Sequence, residues 1–316
     1  MGIWLFFEMK KMKKIIISVV VLLLISACSD SDIESAKYTD EYLTTKKVEY
    51  TLQLKNNTNR ELKKAMVLLY APVDKTSSQK TIKLSISKPH KVNKDSVGNQ
   101  IITVPFEHVV IEKEEQITLQ AELQMATEPN LIQQANIDLF KNISRALAAE
   151  DKEIFDSVVK QVQTNETLET LQNIAQWVEE NLAINDDEQA EMFDPSTVAA
   201  TVEQIIDMGS FSLLNKKGSV NGNANMILDL AKASNIPVRW VVGLSVTESN
   251  EIKLENAQLW LQYVSAGKWH LFDATTKKEI KDYSEKVILR IFPEYIDLNF
   301  VKPEQLLYET IGFDKV

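Results

Sequence analysis

The chain has 316 residues, 44% hydrophobic, 25% charged and 8% aromatic, a globular composition that excludes wholesale disorder, collagen-like repetition and a multi-span membrane protein. With 35 Lys+Arg against 45 Asp+Glu, the net charge is -10 and no basic stripe offsets it, which argues against nucleic acid as a partner. The single cysteine, Cys28, leaves no intramolecular disulfide, thiolate zinc site or CxxC redox pair, and no motif calls for a cofactor or a metal.

The N-terminus reads as an address. Lys10, Lys11, Lys13 and Lys14 precede an apolar run from Ile15 to Ala27, broken only by Ser18 and Ser26. At about 1.5 Å per residue that run reaches roughly 20 Å, short of the roughly 30 Å hydrocarbon layer, so it fits a secretory signal better than a membrane span. It closes on Ile25-Ser26-Ala27-Cys28, which resembles a bacterial lipobox. The resemblance implies a lipoprotein signal over residues 1–28, with the Cys28 thiol acylated and the chain cut just before it. Membrane lipid is then a partner, and the expected location is the cell envelope, at the outer membrane where a cell has one. Residues 1–8 are unlike a signal start, and Met9 or Met12 is an alternative initiator. Loss of residues 1–27 removes four lysines and Glu8 and takes the net charge to about -13. Residues 29–45 are polar and aperiodic and read as a tether.

From Val48 the period is two. Val48, Tyr50, Leu52 and Leu54 alternate with polar residues, and further strands are expected near 65–71, 81–87, 100–107 and 116–124. Asn56-Asn57-Thr58-Asn59 and Asp95-Ser96-Val97-Gly98-Asn99 supply turns. Short strands with no helix between them predict an antiparallel β-sandwich over residues 46–126.

At Pro129 the period becomes helical, opening a second domain over residues 127–316. Leu131, Ala135, Ile137, Leu139, Ile143, Ala146 and Leu147 suggest one helix, and Asp151–Val162 a second. A third begins with Asn165 as its cap and carries Leu168, Leu171, Ala175, Val178 and Leu182 at spacings of 3 and 4, with Trp177 beside the stripe. Asn185-Asp186-Asp187-Glu188 lacks the alternating oxygens and glycine of a calcium loop and reads as a solvated connection.

The informative stretch runs from Gly218 to Thr275. Gly218-Ser219-Val220-Asn221-Gly222-Asn223-Ala224 opens a helix with Ala224, Ile227, Leu228 and Ala231 on one side. The helix ends at Asn235, a residue tolerant of left-handed geometry, and Ile236-Pro237-Val238-Arg239-Trp240-Val241-Val242-Gly243 begins a strand. Ala257-Gln258-Leu259-Trp260-Leu261-Gln262-Tyr263 and Trp269-His270-Leu271-Phe272-Asp273-Ala274-Thr275 follow. Across roughly residues 130–280 this order is similar to the transglutaminase-like core, a branch of the papain-like fold, and the preceding sandwich resembles modules found in bacterial members. The resemblance implies an α+β second domain in which a cysteine heads the helix, a histidine lies on the next strand and an aspartate closes the last motif.

Those chemical positions are altered. The ungapped match puts Val220 where a nucleophilic thiolate is needed and Gln258 where a proton acceptor is needed, leaving only Asp273. Asp273 is then expected to hold Gln258 or a backbone amide. Ser219 and Asn221 reach the first position only by a slip in register, and His90, His108 and His270 are expected at surface or packing positions. Loss of a nucleophile alone can cost on the order of 10⁶ in rate. The sequence therefore predicts a non-catalytic, membrane-tethered protein that binds a peptide, a peptidoglycan element or an envelope protein in a vestigial cleft near Val220, Asn221, Gln258, Trp260 and Asp273. The alternatives are an active hydrolase or transferase using other residues, and a purely structural lipoprotein.

Overall fold

The computed structural model describes residues 41–57, 60–141, 149–184, 217–218, 220–246, 253–292 and 303–311. The signal, the lipobox at Cys28 and most of the tether therefore lie outside the described residues, as do Ser219 and Asn185–Glu188.

The alternating N-terminal segments become β1 (Thr44–Lys55), β2 (Leu62–Ala71), β3 (Gln79–Ile86), β4 (Lys91–Lys94), β5 (Gln100–Val109) and β6 (Glu114–Met125). One sheet has the order β1-β6-β3; in the other, β5 lies between β2 and β4. All pairings are antiparallel. Tyr50 faces Leu119 and Leu52 faces Ile117 across the first sheet, while Val67, Leu69, Ile102 and Val104 of the second are fully buried in the same core. Burying each such side chain stabilises by roughly 1.5–3 kcal/mol, which fixes the register because a one-residue slip would expose the whole set. This is the layout of an antiparallel sandwich. Its first strand starts at Thr44, inside the expected tether, because pairing with β6 continues to Thr44↔Met125. The fully exposed β4 carries no alternation and was not foreseen.

The expected helix from Leu131 to Leu147 differs. Only α1 (Gln134–Asp138) forms in its described part. Asn130 N donates to Ser77 O and Ile132 N to Gly267 O, so the backbone here is tied to neighbouring loops rather than to itself. Leu131 and Leu139 are exposed, whereas Ile137 and Phe140 turn inward.

Helices α2 (Ala149–Val162) and α3 (Thr167–Asn181) follow. Glu166, not Asn165, is the N-cap of α3; the Thr164 hydroxyl accepts from Glu166 N and the Thr170 hydroxyl from Thr164 N. The predicted stripe is real: Leu171, Ala175, Val178 and Leu182 are buried, with Leu168 and Trp177 partly buried beside them. Two short strands, β7 (Ala183–Ile184) and β8 (Lys217–Gly218), pair in parallel just before α4 (Val220–Ala233).

Helix α4 ends in a Schellman motif. Asn235 takes φ +61, its N–H donates to Lys232 O, and Ile236 N donates to Ala231 O. The chain then forms β9 (Val238–Ser245), β10 (Gln258–Ser265), β11 (Lys268–Asp273), β12 (Lys278–Ile280) and β13 (Lys286–Phe292) in the order β12-β11-β10-β9-β13. Val238, Trp240, Val242, Leu261 and Phe272 share a core with Met226, Leu228 and Leu230 of α4. Val241, Trp260, Trp269 and Leu271 point the other way, into a second core with Val73 and Phe140. The molecule is thus mixed α+β, with mostly antiparallel sheets.

The two halves are joined along the outer edge of β13. Gln79 accepts from Ile288 N at 2.7 Å and donates to Ile288 O at 2.9 Å; Asn99 accepts from Ile291 N at 2.7 Å and donates to Ile291 O at 2.8 Å. Two buried amides therefore do the work of a missing neighbour strand. The last described strand, β14 (Tyr308–Ile311), crosses the expected 126/127 boundary to pair with β2. Residues from Asp40 onward form one compact unit. No helix among the described residues is long and apolar enough to cross a membrane.

Candidate functional site

Val220 is the first residue of α4, at the helix end where an anionic nucleophile would gain from the backbone dipole. Asn221 follows it within the same first turn. Gln258 opens β10 opposite Gly243, and Asp273 closes β11 opposite Lys278. Continuing the β10–β11 register one step beyond Leu261↔Phe272 brings Asp273 beside Trp260, two residues from Gln258 on the same face. The fold thus gathers Gln258 and Asp273 at one end of adjacent strands.

Their side chains are engaged separately. Asp273 Oδ1 accepts from Thr275 N at 2.9 Å and Thr276 N at 3.2 Å, an Asx turn that ends the strand. Of the two roles expected for it, Asp273 takes the backbone one. Exposed Gln258 accepts instead from the Ser245 hydroxyl at 3.2 Å, and Ser245 Oγ in turn accepts from Lys286 Nζ at 2.7 Å. The donors run from ammonium to hydroxyl to amide oxygen, so the Ser245 hydroxyl gives its hydrogen bond to Gln258 and faces no proton acceptor other than that amide.

Strand alternation decides the faces. Gln258 and Asp273 share the face of Trp260 and Trp269, whereas the body of α4 packs on the opposite face, against Leu261 and Phe272. Trp260, expected to line a cleft, is 3% exposed, and its ring covers Gly243 in the second core. Its indole serves packing there, because any β10 residue in register with Val241 is buried between sheet and covering segment.

The three histidines are also placed. His90 and His108 are exposed in the sandwich, with Nδ1 of His108 3.2 Å from Glu61 Oε1. His270 is more specific than foreseen: Nδ1 lies 2.9 Å from Glu279 Oε1, which also accepts from the Tyr263 hydroxyl at 3.1 Å, and the Tyr263 ring stacks on the imidazole at 5.3 Å. Burial, with Glu279 adding to it, raises the Tyr263 pKa and keeps the phenol a donor. This carboxylate–imidazole pair lies on the opposite face of the sheet from Gln258 and Asp273, since Glu279 pairs with Phe272 one step from the Asp273–Lys278 pair. Its only sequence signal was the alternation of β11, since Glu279 enters through the tight turn at 274–277. Among the described residues, no group of His, Cys, Asp and Glu is arranged to hold a metal ion.

Residues 155–274 match the transglutaminase-like superfamily core, so this stretch of the chain is similar to a transglutaminase-like domain. A protein described as a candidate cysteine protease from Cytophaga hutchinsonii aligns at a TM-score of 0.47 and 12% identity, over 85% of this chain and 86% of its own. The periplasmic domain of TgpA from Pseudomonas aeruginosa aligns at 0.33 and 11%, over 75% and 83%. A candidate protease from Parabacteroides distasonis aligns at 0.27 and 14%, over 73% and 47%. No curated protein sequence matches the chain.

Proposed function

We propose that this is a lipid-anchored, non-catalytic transglutaminase-like protein of the cell envelope, which holds a peptide, cell-wall element or envelope protein at the end of the sheet marked by Gln258 and Asp273. The observation that carries the reading is the residue heading α4: it is Val220, and the chain's one cysteine is Cys28, within the lipobox-like Ile25–Cys28. Valine offers no lone pair for attack, and an amide at Gln258 accepts no proton near neutral pH. The engagement of Gln258 by Ser245 and of Asp273 by backbone amides supports structural rather than chemical duties for both. Half-buried Ser245 and Lys286 beside exposed Gln258 make this end polar, which favours a ligand with hydrogen-bonding groups over an apolar one.

The experiment uses purified chain beginning after Cys28. It is expected to show background amidase, protease and amine-crosslinking activity and no labelling by thiol-directed probes. Turnover above background that disappears on changing one residue of this chain would overturn the reading. In cells, Cys28→Ala is expected to abolish fatty-acid labelling and release the protein from membranes. Continued labelling and retention would refute the lipid anchor while leaving the catalytic question separate.

The His270–Glu279 pair favours a second reading, an enzyme using residues outside the family positions, because an imidazole oriented by a carboxylate is half of a general-base arrangement. His270→Ala leaves activity unchanged under the first reading and removes it under the second.

A further inference from the structure

The face of the sheet turned away from α4 carries a cation whose charge no described carboxylate balances. Arg239 on β9 is 6% exposed, and its guanidinium lies 4.2 Å from the Trp269 ring centre and 4.9 Å from that of Phe140. Its Nε donates to Gln262 Oε1 at 2.8 Å. Of the five N–H donors of a guanidinium, that is the one with a partner among the described residues, and no carboxylate there lies within ion-pair distance. Burial alone lowers the Arg239 pKa to about 9, with no acidic neighbour raising it. Aromatic faces return only about 0.5–2 kcal/mol to a desolvated cation, well below the cost of burying it unpaired.

Gln262, fully buried next to it, adds a second unmet donor. Since Arg239 Nε can only donate, Gln262 must present Oε1 to it, which leaves Nε2 with no partner among the described residues. A guanidinium whose terminal nitrogens have no described acceptor, beside a buried amide nitrogen with none, defines what is missing: an atom or group that carries negative charge and only accepts. The segment around α1 places Phe140 edge-on to Trp269 at 5.4 Å, with both rings against the guanidinium.

We infer that Arg239 and Gln262 form a binding site for a small monovalent anion, chloride or a carboxylate, on the sheet face opposite α4. The site is separate from Gln258 and Asp273 and stands whether or not the chain is catalytic. Its bound ion would couple the covering segment at Phe140 to the centre of the sheet.

The test is the thermal stability of the soluble chain in sodium chloride, sodium acetate and sodium gluconate at equal ionic strength. Gluconate, the largest of the three anions and heavily hydroxylated, is the reference. Chloride or acetate is expected to raise Tm by roughly 2–5 °C over gluconate once the ion exceeds its Kd about tenfold. Chloride alone identifies an inorganic ion, and an equal response to acetate identifies a carboxylate. Gln262→Glu supplies the acceptor within the chain and is expected to abolish the difference, as is Arg239→Met, which removes the charge at similar volume. A bromide soak should place an anomalous peak beside Arg239. Equal Tm in all three salts would overturn the site, because a bridging water would give that result. So would a difference that survives both substitutions, or a bromide peak only elsewhere.

Discussion

Two sets of buried polar side chains face the same sheet from different sides, and they are treated oppositely. At the outer edge of β13, Gln79 and Asn99 have every amide oxygen and nitrogen engaged, largely by the backbone of Ile288 and Ile291. At the centre, on β9 and β10, Arg239 and Gln262 are also buried, and among the described residues the one hydrogen bond of each is to the other, with Gln262 Nε2 left unpaired. The edge has unpaired backbone groups that need partners, so polar side chains stabilise there. The centre has its backbone already paired, so the same side chains satisfy nothing and cost desolvation. Rigid joints and ligand sites can thus be told apart by whether buried polar groups are complete.

The comparison breaks most visibly at the joint. Asn99→Leu leaves both Ile291 N and Ile291 O unpaired in the interior, and a loss of about 3 kcal/mol is expected. Gln79→Leu is expected to cost less, about 2 kcal/mol, because Val73 N still donates to Ile288 O. Urea denaturation reads both as a lower midpoint at unchanged slope. If neither moves the midpoint, the amides do not replace a strand and the two halves are held by apolar packing alone.

A backbone contact sharpens the picture of the sheet centre. A Cβ added at Gly243 would meet Val287 O at 2.3 Å and the Trp260 ring at 2.6 Å. The carbonyl cannot rotate away as a side chain could, so Gly243→Ala must push β13 from β9 or displace Trp260. The expected cost is about 2 kcal/mol. Near-ultraviolet circular dichroism should change with it, because Trp260 is packed against this position. A fully native spectrum and stability would mean that strand and indole are not in contact.

Periodicity carried much of this fold. Alternation alone located β1, β2, β5 and β6, and the helical spacing of Leu171, Ala175 and Val178 located α3. The left-handed Asn235 was legible because a helix end followed by Ile236-Pro237 requires one. The segment from Leu131 was not, since its apolar spacing suits a helix while its backbone bonds go to Ser77 and Gly267, which lie far away in sequence. The same limit applies to the site. Period two puts Gln258, Trp260 and Gln262 on one face, but which face is covered depends on where Phe140 lands. Hence Trp260 read as a cleft residue and is a core residue. The partner of His270 was equally hidden, because Glu279 arrives through a turn whose Lys277 adopts φ +57, a geometry that lysine does not advertise.

The smallest effect belongs to polar groups that keep contact with water. Glu115 on β6 is paired with Lys88 at 2.7 Å and with Lys113 at 2.5 Å, its own side chain 10% exposed. Hydrogen bonds from Lys113, then Lys88, hold its carboxyl below the usual value of 4.5. Because the folded-state pKa is depressed, the unfolded chain binds the proton more tightly. The stabilisation is therefore complete above about pH 4.5 and is lost as pH falls through the folded value. Both lysines are between a third and a half exposed, so water screens them, and about 1 kcal/mol is the expected contribution near neutral pH. Glu115→Gln should lower stability by that amount at pH 7 and by progressively less as pH falls below 4.5 through the folded value, where the wild-type carboxyl also takes up its proton. Added salt at pH 7 should narrow the gap between the two proteins. A gap that is constant from pH 3 to pH 7 would assign the loss to side-chain packing instead of charge, and would make Glu115 resemble the buried amides of the joint rather than a solvated ion pair.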